Sequence, residues 1–427
     1  METGLISMKF SEFDLDNGLH VIMSPDRNAP VAAVDLWYHV GSKNEERGRT
    51  GFAHLFEHMM FQGSAHVGKA EHMKYVEMAG GIFNGSTTWD RTNYFETVPS
   101  NQLDLALWLE SDRMMSLEIN LHNLNNQRAV VKEERRFRVD NRPYGTAWEK
   151  IFSLAFKMHP YHWPVVGYPE HLDAASVDDA RLFFQKYYAP NNAVLSIAGG
   201  FQPSVARRLV EKYFGEIRSG PGIQLQAIAD PPLQGRIREI VYDNVALPAV
   251  YLAFRVPALT SQDSPALNLA ADILSRGKSS RLYRRLVYDK RIAQSVEAVQ
   301  PDLEDAGVFM VNAVVSPGRM AEEVETEIRK ELRRLADRFP EKSELEKVRN
   351  QAISGWVKEL SRALGRADNL AHFHTFYGNT GMMNTHLQRL LGVSQSEISE
   401  VAKKYLDTED SVVVYYLPKK QEETVKA

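Results

Sequence analysis

Two histidines spaced four residues apart, with a glutamate directly before the second, stand out for their chemistry. They are His54, Glu57 and His58, in the stretch GFAHLFEHMMF that spans residues 51–61. On an α-helix, successive residues are about 100° apart, so these three side chains share one face. Two imidazoles one turn apart can bind a zinc ion, and a carboxylate beside them can act on a water molecule held by the metal. The pattern therefore predicts metal-assisted hydrolysis, with Glu57 as the base.

The order of these residues is the reverse of the thermolysin-type order, and this inverted order is a zinc-peptidase motif of its own. The alternative interpretation is an amphipathic helix that carries two histidines on its polar face by chance. The neighbouring residues argue against it, because a helix that is apolar nearly all round is buried. Buried imidazoles and carboxylates need partners, and metal ligation supplies one. The apolar neighbours are Phe52, Leu55, Phe56, Met59, Met60 and Phe61.

The composition is that of a globular protein with more than one domain. A chain of 427 residues is too long for a single hydrophobic core. A net charge of −4 gives no electrostatic case for binding nucleic acid or an anionic membrane. The sequence has no cysteine, so any zinc must be bound by His, Asp or Glu side chains.

No stretch of the sequence predicts a membrane span. Residues 1–8 do not have the charged and apolar regions of a signal peptide, so no signal peptide is predicted. The composition does not distinguish a cytoplasmic protein from one of the bacterial periplasm.

Alternating apolar residues predict a strand directly before the loop that leads into the metal motif. Val34 and Leu36 alternate with Asp35 and Trp37, which is the period of a strand with one buried face. Strand and helix patterns follow in both halves of the chain. The sequence therefore predicts an α+β protein of two similar α/β-sandwich domains, each a sheet with helices packed on one face.

The domain boundary is predicted at residues 221–235, a linker rich in proline and glycine without periodicity. Residues 1–220 would form a metal-bearing domain and residues 236–427 a homologous second domain. An internal duplication is indicated because the segment from Lys186 resembles the segment from Lys404, which sets a constant shift in residue number (404 − 186 = 218).

The same shift shows what the second copy has lost. It carries His54, Glu57 and His58 onto Asp272, Ser275 and Arg276. The second domain is therefore predicted to keep the helix and to lack the metal site.

A third metal ligand is needed, because a catalytic zinc has three protein ligands and one open coordination position. The helix predicted over residues 121–139 is the candidate source. Its residues Gln127, Val131 and Glu134 share one face, at spacings of four and three residues. Burial of that face would point Glu134 inward. A charged surface helix is the alternative.

The distance in sequence from His58 to Glu134 (134 − 58 = 76) resembles that of the pitrilysin and mitochondrial-processing-peptidase family. In that family, a glutamate ligand follows the inverted motif at about this distance. Further motifs and the two-domain repeat extend the resemblance over nearly the whole chain. These motifs are Gly80-Gly81-Ile-Phe-Asn84-Gly-Ser-Thr87, Thr92-Asn-Tyr94, Pro160-Tyr161 and Gly167.

The resemblance implies a role for each residue of the site. His54, His58 and Glu134 would bind one zinc ion per chain, and Glu57 would activate the attacking water. Gln127 stands where family members often have a second glutamate, seven residues before the distal ligand. A glutamine keeps the hydrogen bonding of that position without its charge.

Peptide binding would follow the family's edge-strand mode, in which an extended substrate adds to a sheet at residues 81–88. Gly81 would allow close approach of the substrate backbone, Asn84 would bond a substrate carbonyl group, and Thr87 would contribute to substrate binding from the same strand. A plain turn at Gly80 and Gly81 is the alternative.

The sequence departs from the family in the second half. Family peptidases use an arginine and a tyrosine, seven residues apart, to hold the substrate and transition state. After the anchor at residues 280–283, the corresponding positions are Val287 and Gln294, which cannot do this. A slipped register would pair Arg281 with Tyr288, but it breaks the anchor.

The missing pair predicts a partner, because family peptidases enclose the substrate between two such two-domain halves. The chain is predicted to be the metal-bearing subunit of a two-subunit bacterial type, with a homologous partner that lacks the zinc motif and supplies the pair. The predicted function is a zinc endopeptidase for short or unfolded peptides. A non-catalytic scaffold or processing subunit of the same fold is one alternative, and a metal-binding module without peptidase activity is another.

Overall fold

A computed structural model describes residues 7–223 and 228–419. The segments outside the described residues are 1–6, 224–227 and 420–427. The first belongs to the segment for which no signal peptide is predicted, and the second belongs to the predicted linker. Within the described part of the chain, no helix combines the length and the apolar character that crossing a membrane requires.

The described residues form two compact units, each built from three segments of the sequence. The first unit lies within Met1–Arg135, Trp163–Ala227 and Ser354–Leu387, and the second within Arg136–His162, Ile228–Ile353 and Gln388–Ala427. The predicted mixed fold with two domains is confirmed. The division at residues 221–235 stays a prediction.

Helices and strands are numbered here in chain order. The strands are β1 (Ser11–Asp14), β2 (His20–Pro25), β3 (Val31–Tyr38), β4 (Ile82–Thr87), β5 (Thr92–Pro99), β6 (Ala193–Gly199), β7 (Arg236–Asp243), β8 (Ala249–Val256), β9 (Ala293–Val299), β10 (Gly307–Val315) and β11 (Ser411–Pro418). The helices are α1 (Phe52–Met59), α2 (Glu71–Met78), α3 (Leu103–Ser116), α4 (Leu121–Arg135), α5 (Ala147–Ala155), α6 (Pro169–Ala174), α7 (Val177–Tyr187), α8 (Pro203–Phe214), α9 (Ser264–Ser275), α10 (Ala321–Asp337), α11 (Lys342–Leu360), α12 (Ala363–Tyr377), α13 (Met383–Gly392) and α14 (Gln395–Val401).

The first unit is built on a six-stranded sheet in the order β1-β2-β6-β3-β5-β4. Strands β2 and β6 are parallel, and the other neighbouring pairs are antiparallel. Strand β4 therefore lies at one edge, where its outer backbone groups can pair with another extended segment. Helix α1 packs against this end of the sheet, in contact with β4 and β5.

Strand β3 is buried on both faces, so the predicted half-buried strand is wrong. Val34 and Leu36 belong to the core that includes α1. On the other face, Trp37 packs with Phe373 of α12, and Asp35 is fully buried. The indole of Trp37 donates to the carboxylate of Asp35 at 3.1 Å. The alternation of β3 could not reveal this cover, because α12 comes from a distant part of the sequence.

The second unit repeats the topology of the first. Its five-stranded sheet has the order β7-β11-β8-β10-β9, with β7 and β11 parallel and the other pairs antiparallel. This matches β2-β6-β3-β5-β4 strand for strand. Strand β11 begins at Ser411 and β6 at Ala193, and the difference between these positions (411 − 193 = 218) equals the shift between Lys186 and Lys404. The topology thus agrees with the internal duplication and with its predicted register.

Candidate metal centre

The start of helix α1 is held by a buried carboxylate. Glu45 accepts hydrogen bonds from the backbone N–H groups of Gly51 and Ala53, each at 2.8 Å. Two of the N–H groups that a helix leaves unpaired at its N-terminus are thereby satisfied. These donors favour the ionised carboxylate, whereas burial favours the neutral form. Burial dominates and raises the pKa of Glu45 to about 8.

Two glycines in close contact fix the position of the same helix end. Gly51 precedes α1 with φ +95°, in the left-handed region that favours glycine. A Cβ on Gly167 would lie only 2.3 Å from the Cα of Gly51. The carbonyl oxygen of Gly167 also accepts from Nη1 of Arg135 at 3.1 Å. The start of α1 and the end of α4 are therefore held against the same loop.

The structure brings the three predicted ligands together. Nε2 of His58 lies 3.0 Å from Oε2 of Glu134, and Nε2 of His54 lies 3.8 Å from the same oxygen. The ligand atoms of the three residues all lie within 4.8 Å of one another. Two ligands that are each about 2.1 Å from a tetrahedral zinc are about 3.4 Å apart, close to these separations. Two imidazoles and one carboxylate thus fit a zinc ion.

Glu134 faces inward because the same side of α4 is part of the core. Leu124, Gln127 and Val131 are buried along that side. Glu133, the neighbour of Glu134, is exposed. Helix α4 therefore packs against the core through one face, and Glu134 points inward from that face. Gln127 lies two turns before Glu134 on the buried side, and its supporting role stays a prediction.

Glu57 lies beside the edge strand β4. Its Oε2 accepts a hydrogen bond from the hydroxyl group of Thr87 at 2.6 Å. A Cβ on Gly85 would approach Cγ of Glu57 to 3.2 Å, so the glycine leaves room for this side chain. The hydroxyl group of Thr87 is thus bonded to Glu57, and a role of Thr87 in substrate binding stays a prediction.

The other two predicted substrate residues lie at the same edge. Asn84 is exposed on β4, and its Oδ1 accepts from the N–H of Gly85 at 2.9 Å. Gly81 directly precedes the strand. A Cβ on Gly81 would lie 2.8 Å from a methyl group of Val98, so internal packing alone explains the glycine.

Sequence reasoning missed Glu45. Helix capping patterns are sought within about three residues of the helix start. Glu45 reaches α1 from six residues before Gly51. Its role can be recognised only from the path of the loop, which brings Glu45 back to the start of α1.

The slipped register in the second unit gains no support from the contacts of Arg281. Its guanidinium group forms two hydrogen bonds with Glu344, at 2.8 and 2.7 Å. Tyr288 is 70% exposed, and Gln294 is exposed on β9. Val287 packs against the core of the unit. Arg281 thus serves an internal ion pair.

A different buried cluster resembles a metal site, but its carboxylates are paired with an arginine. His72, Glu96 and Glu110 could offer three ligand atoms. However, the guanidinium group of Arg113 bonds to Glu110 at 2.9 Å and to Glu96 at 3.4 Å. His72 lies 2.9 Å from Glu96. The cation needed by the two carboxylates is therefore the arginine itself.

One copy of the duplicated sheet-and-helix unit carries a zinc-type ligand set, and each half of the chain matches a domain of one peptidase family. Residues 20–167 match the family described as Insulinase (Peptidase family M16), and residues 174–352 match the Peptidase M16 inactive domain. The chain is 31% identical over 414 residues to the zinc protease PqqE of Helicobacter pylori, covering 96% of this chain and 93% of that protein. The chain belongs to peptidase family M16.

Further relatives agree with this assignment. The chain is 24% identical over 410 residues to a probable mitochondrial-processing peptidase subunit beta of Arabidopsis thaliana, covering 93% of this chain and 76% of that protein. The crystal structure of a protease from Helicobacter pylori superposes on this chain with a TM-score of 0.93 at 30% identity. The superposition covers 97% of this chain and 100% of that protease chain. A peptidase M16 inactive domain from Pseudomonas fluorescens shares the fold, with a TM-score of 0.87 at 16% identity, covering 96% and 99% of the two chains. The predicted family resemblance is confirmed.

Proposed function

We propose that this protein is a zinc-dependent endopeptidase subunit that hydrolyses peptide bonds in short or unfolded peptides. The observation that carries the proposal is the convergence of His54, His58 and Glu134, with Glu57 one residue before the second histidine and next to an open strand edge. Membership of a family with relatives named zinc proteases supports it.

Each chain would hold one catalytic zinc ion between His54, His58 and Glu134. When bound, zinc supplies a Lewis acid, which makes water more acidic and a carbonyl carbon more electrophilic. The ligand set is neutral apart from the carboxylate of Glu134 when both imidazoles are unprotonated. It therefore leaves a net positive charge on the bound ion, as such chemistry needs.

Glu57 would move the protons of the reaction. The Thr87 hydroxyl group holds Oε2 of its carboxylate, so Oε1 is the oxygen available as the proton acceptor. Glu57 would take a proton from the attacking water and deliver it to the nitrogen of the leaving amine. One carboxylate thereby serves as base and then as acid.

The substrate would bind as an additional strand on β4. An edge strand offers unpaired backbone groups to an extended peptide, and such pairing tolerates many side chains. The exposed amide of Asn84 would bond a substrate carbonyl group. Binding of this kind selects unfolded segments, since a folded chain has already paired its backbone groups.

The chain would act with a homologous partner subunit that lacks the zinc motif. This part of the proposal rests on Val287 and Gln294, which stand at the positions of the family's arginine and tyrosine. A partner that carries those two residues would complete the substrate site.

The proposal is tested by separating metal binding from catalysis. Glu57→Gln should lower cleavage of an unstructured peptide by about 10²–10⁴-fold and leave the zinc content unchanged, because the base is lost and the ligands remain. His58→Ala should lose cleavage together with the zinc ion held by His54, His58 and Glu134. Cleavage retained in Glu57→Gln would refute the mechanism. Zinc without cleavage in the wild type, with and without a partner, would instead support a metal-binding module without peptidase activity, and the absence of both zinc and cleavage would support a non-catalytic scaffold.

A further inference from the structure

A second group of ligand-type side chains lies on the far face of the first unit's sheet. Asp14 of β1 is paired directly with His20 of β2, and Glu12 lies two residues before Asp14. Alternate residues of a strand share a face, so all three project to the same side. Ile22 of β2 marks this side as the one that α12 covers, since it packs with Phe373.

Helix α12 places a second imidazole over this face. The ring of His374 stacks on the ring of His20, with the centroids 3.5 Å apart and an angle of 13° between the planes. Glu12, His20 and His374 offer ligand atoms that all lie within 4.8 Å of one another. Nε2 of His20 lies 3.6 Å from Oε2 of Glu12, which is too far for a hydrogen bond.

The hydrogen bonds of His20 leave its Nε2 available as a ligand. Its Nδ1 lies 2.7 Å from Oδ1 of Asp14, so the ring proton lies between these two atoms. The lone pair of the neutral ring is then on Nε2. This nitrogen is buried and has no hydrogen-bond partner among the described residues. A carboxylate behind a histidine is the usual support of a metal-bound imidazole.

The charges at this site suit a divalent cation. Two carboxylates, Glu12 and Asp14, face two imidazoles. The carboxylates can balance the charge of a bound cation, and unprotonated imidazoles can serve as its ligands. A buried polar atom without a partner also calls for an explanation, and a bound ion is one of the few available.

We propose that Glu12, His20 and His374 form a second zinc site, in which Asp14 orients His20. Imidazole and carboxylate ligands together are typical of zinc. The nitrogen lone pairs of two stacked, parallel rings do not converge on one point. Binding of one ion by both rings therefore requires one ring to rotate out of the stack. His374 has the weaker restraint, since its Nδ1 lies 3.3 Å from the hydroxyl group of Thr380.

The function of this site is structural and not catalytic. It joins the hairpin of β1 and β2 to α12, two segments from opposite ends of the sequence. An ion that connects such distant segments stabilises the folded chain, because the unfolded chain has no preformed site. The metal content would then be two zinc ions per chain, of which one is catalytic.

The full-length chain with His54→Ala and His58→Ala provides the test, because the catalytic site can no longer hold its ion. We expect this variant to retain one zinc ion per chain, measured by elemental analysis after desalting and by calorimetric titration with zinc alone. Added zinc should also raise its unfolding temperature. Introducing His374→Ala or Glu12→Gln into this background should weaken zinc binding by about tenfold or more.

Glu12→Gln keeps the experiment decisive if His374→Ala fails to fold, because Glu12 is 44% exposed and its substitution leaves the core intact. His122→Ala is the matched control, since His122 is an exposed histidine on α4. It should leave zinc binding unchanged. A background variant that holds no zinc, or zinc binding that neither Glu12→Gln nor His374→Ala weakens, would overturn the proposal.

Discussion

At the scale of single residues, the hydroxyl group of Thr87 decides how the Glu57 carboxylate is presented. It donates to Oε2 of Glu57 at 2.6 Å. Hydrogen bonds to charged groups contribute roughly 1.5–3 kcal/mol, and 1.4 kcal/mol corresponds to about tenfold in rate. Thr87→Val keeps the shape of the side chain and removes the donor. We expect kcat to fall about tenfold or more while the zinc content stays unchanged.

Thr87→Ser is the control for this prediction, because it restores a hydroxyl group at the same place. Peptide cleavage by Thr87→Ser should return to within a few-fold of the wild type. If Thr87→Val kept the wild-type kcat, or if it lost zinc, the hydroxyl group would not be orienting Glu57.

Glu45 makes the stability of the fold depend on pH. Burial raises the pKa of Glu45 from 4.5 to about 8, so the folded chain keeps a proton that the unfolded chain releases. The contribution of Glu45 to stability must therefore fall as pH rises from about 4.5 towards 8, by up to about 4 kcal/mol. Glu45→Gln has no proton to release at this position.

Urea unfolding at pH 5 and pH 8 measures this effect. The free energy of unfolding of the wild type, minus that of Glu45→Gln, should decrease between the two pH values. All other titrating groups are shared by the two proteins and cancel in the comparison. An increase would mean that the N–H groups of Gly51 and Ala53 outweigh burial and hold the carboxylate ionised.

The spacing of His54, Glu57 and His58 was sufficient to predict that their side chains share one helix face, because one helical turn determines their relative positions. Glu134 needed more: its helix face indicated an inward orientation, and the family resemblance supplied its predicted role as a zinc ligand. Glu45 and the Thr87–Glu57 bond could not be predicted in this way. Both depend on contacts between segments that fold back on one another, which periodicity does not record.

At the scale of secondary structure elements, the start of α1 determines where the ligands lie. A Cβ on Gly167 would lie 2.3 Å from the Cα of Gly51 and 2.4 Å from its nitrogen. These are backbone atoms, so the contact can be relieved only by moving the helix end or the loop of Gly167. We expect Gly167→Ala to weaken zinc binding by about tenfold or more, because a displacement of about 1 Å is enough to disrupt a ligand set. Competition with a chromophoric chelator measures the affinity.

Gly48→Ala is the matched control for Gly167→Ala. Both glycines have positive φ, +85° for Gly48 and +70° for Gly167, but a Cβ on Gly48 would meet no described atom within 4 Å. Gly48→Ala should therefore cost only the strain of the left-handed conformation, about 1–2 kcal/mol, and leave zinc affinity unchanged. Equal losses of zinc affinity in both variants would exclude the steric explanation.

The positions of strands and helices along the chain were predicted better than the packing of helices on the sheet. The constant shift in residue number between the two halves identified β6 and β11 as equivalent, because the segments that contain them are alike in sequence; the first six residues of both strands are buried. The alternation in β3 was interpreted as one buried face, whereas α12 buries the other. An apolar helix face shows that a helix packs, but not on which strand. The assignment of α12 to the first unit therefore needed the structure.

At the scale of the whole molecule, the duplication leaves two copies with different chemistry. The first copy carries the ligand set, and the second has Asp272, Ser275 and Arg276 at the same positions. The match of residues 174–352 to an inactive domain agrees with this division. A second copy without ligands is free to serve substrate binding or subunit contact.

The dependence on a partner subunit is the prediction that involves the whole chain. Arg281 is bonded to Glu344, and Val287 and Gln294 cannot replace the family's arginine and tyrosine. Loss of one group that stabilises the transition state costs about 10²–10³-fold in kcat. The chain alone should therefore cleave an unstructured peptide about 10²-fold more slowly than its mixture with the homologous subunit. Adding that subunit to Glu57→Gln should restore nothing, which would locate the activity in this chain. Full activity of the isolated chain, or no association on a sizing column, would contradict the heterodimer.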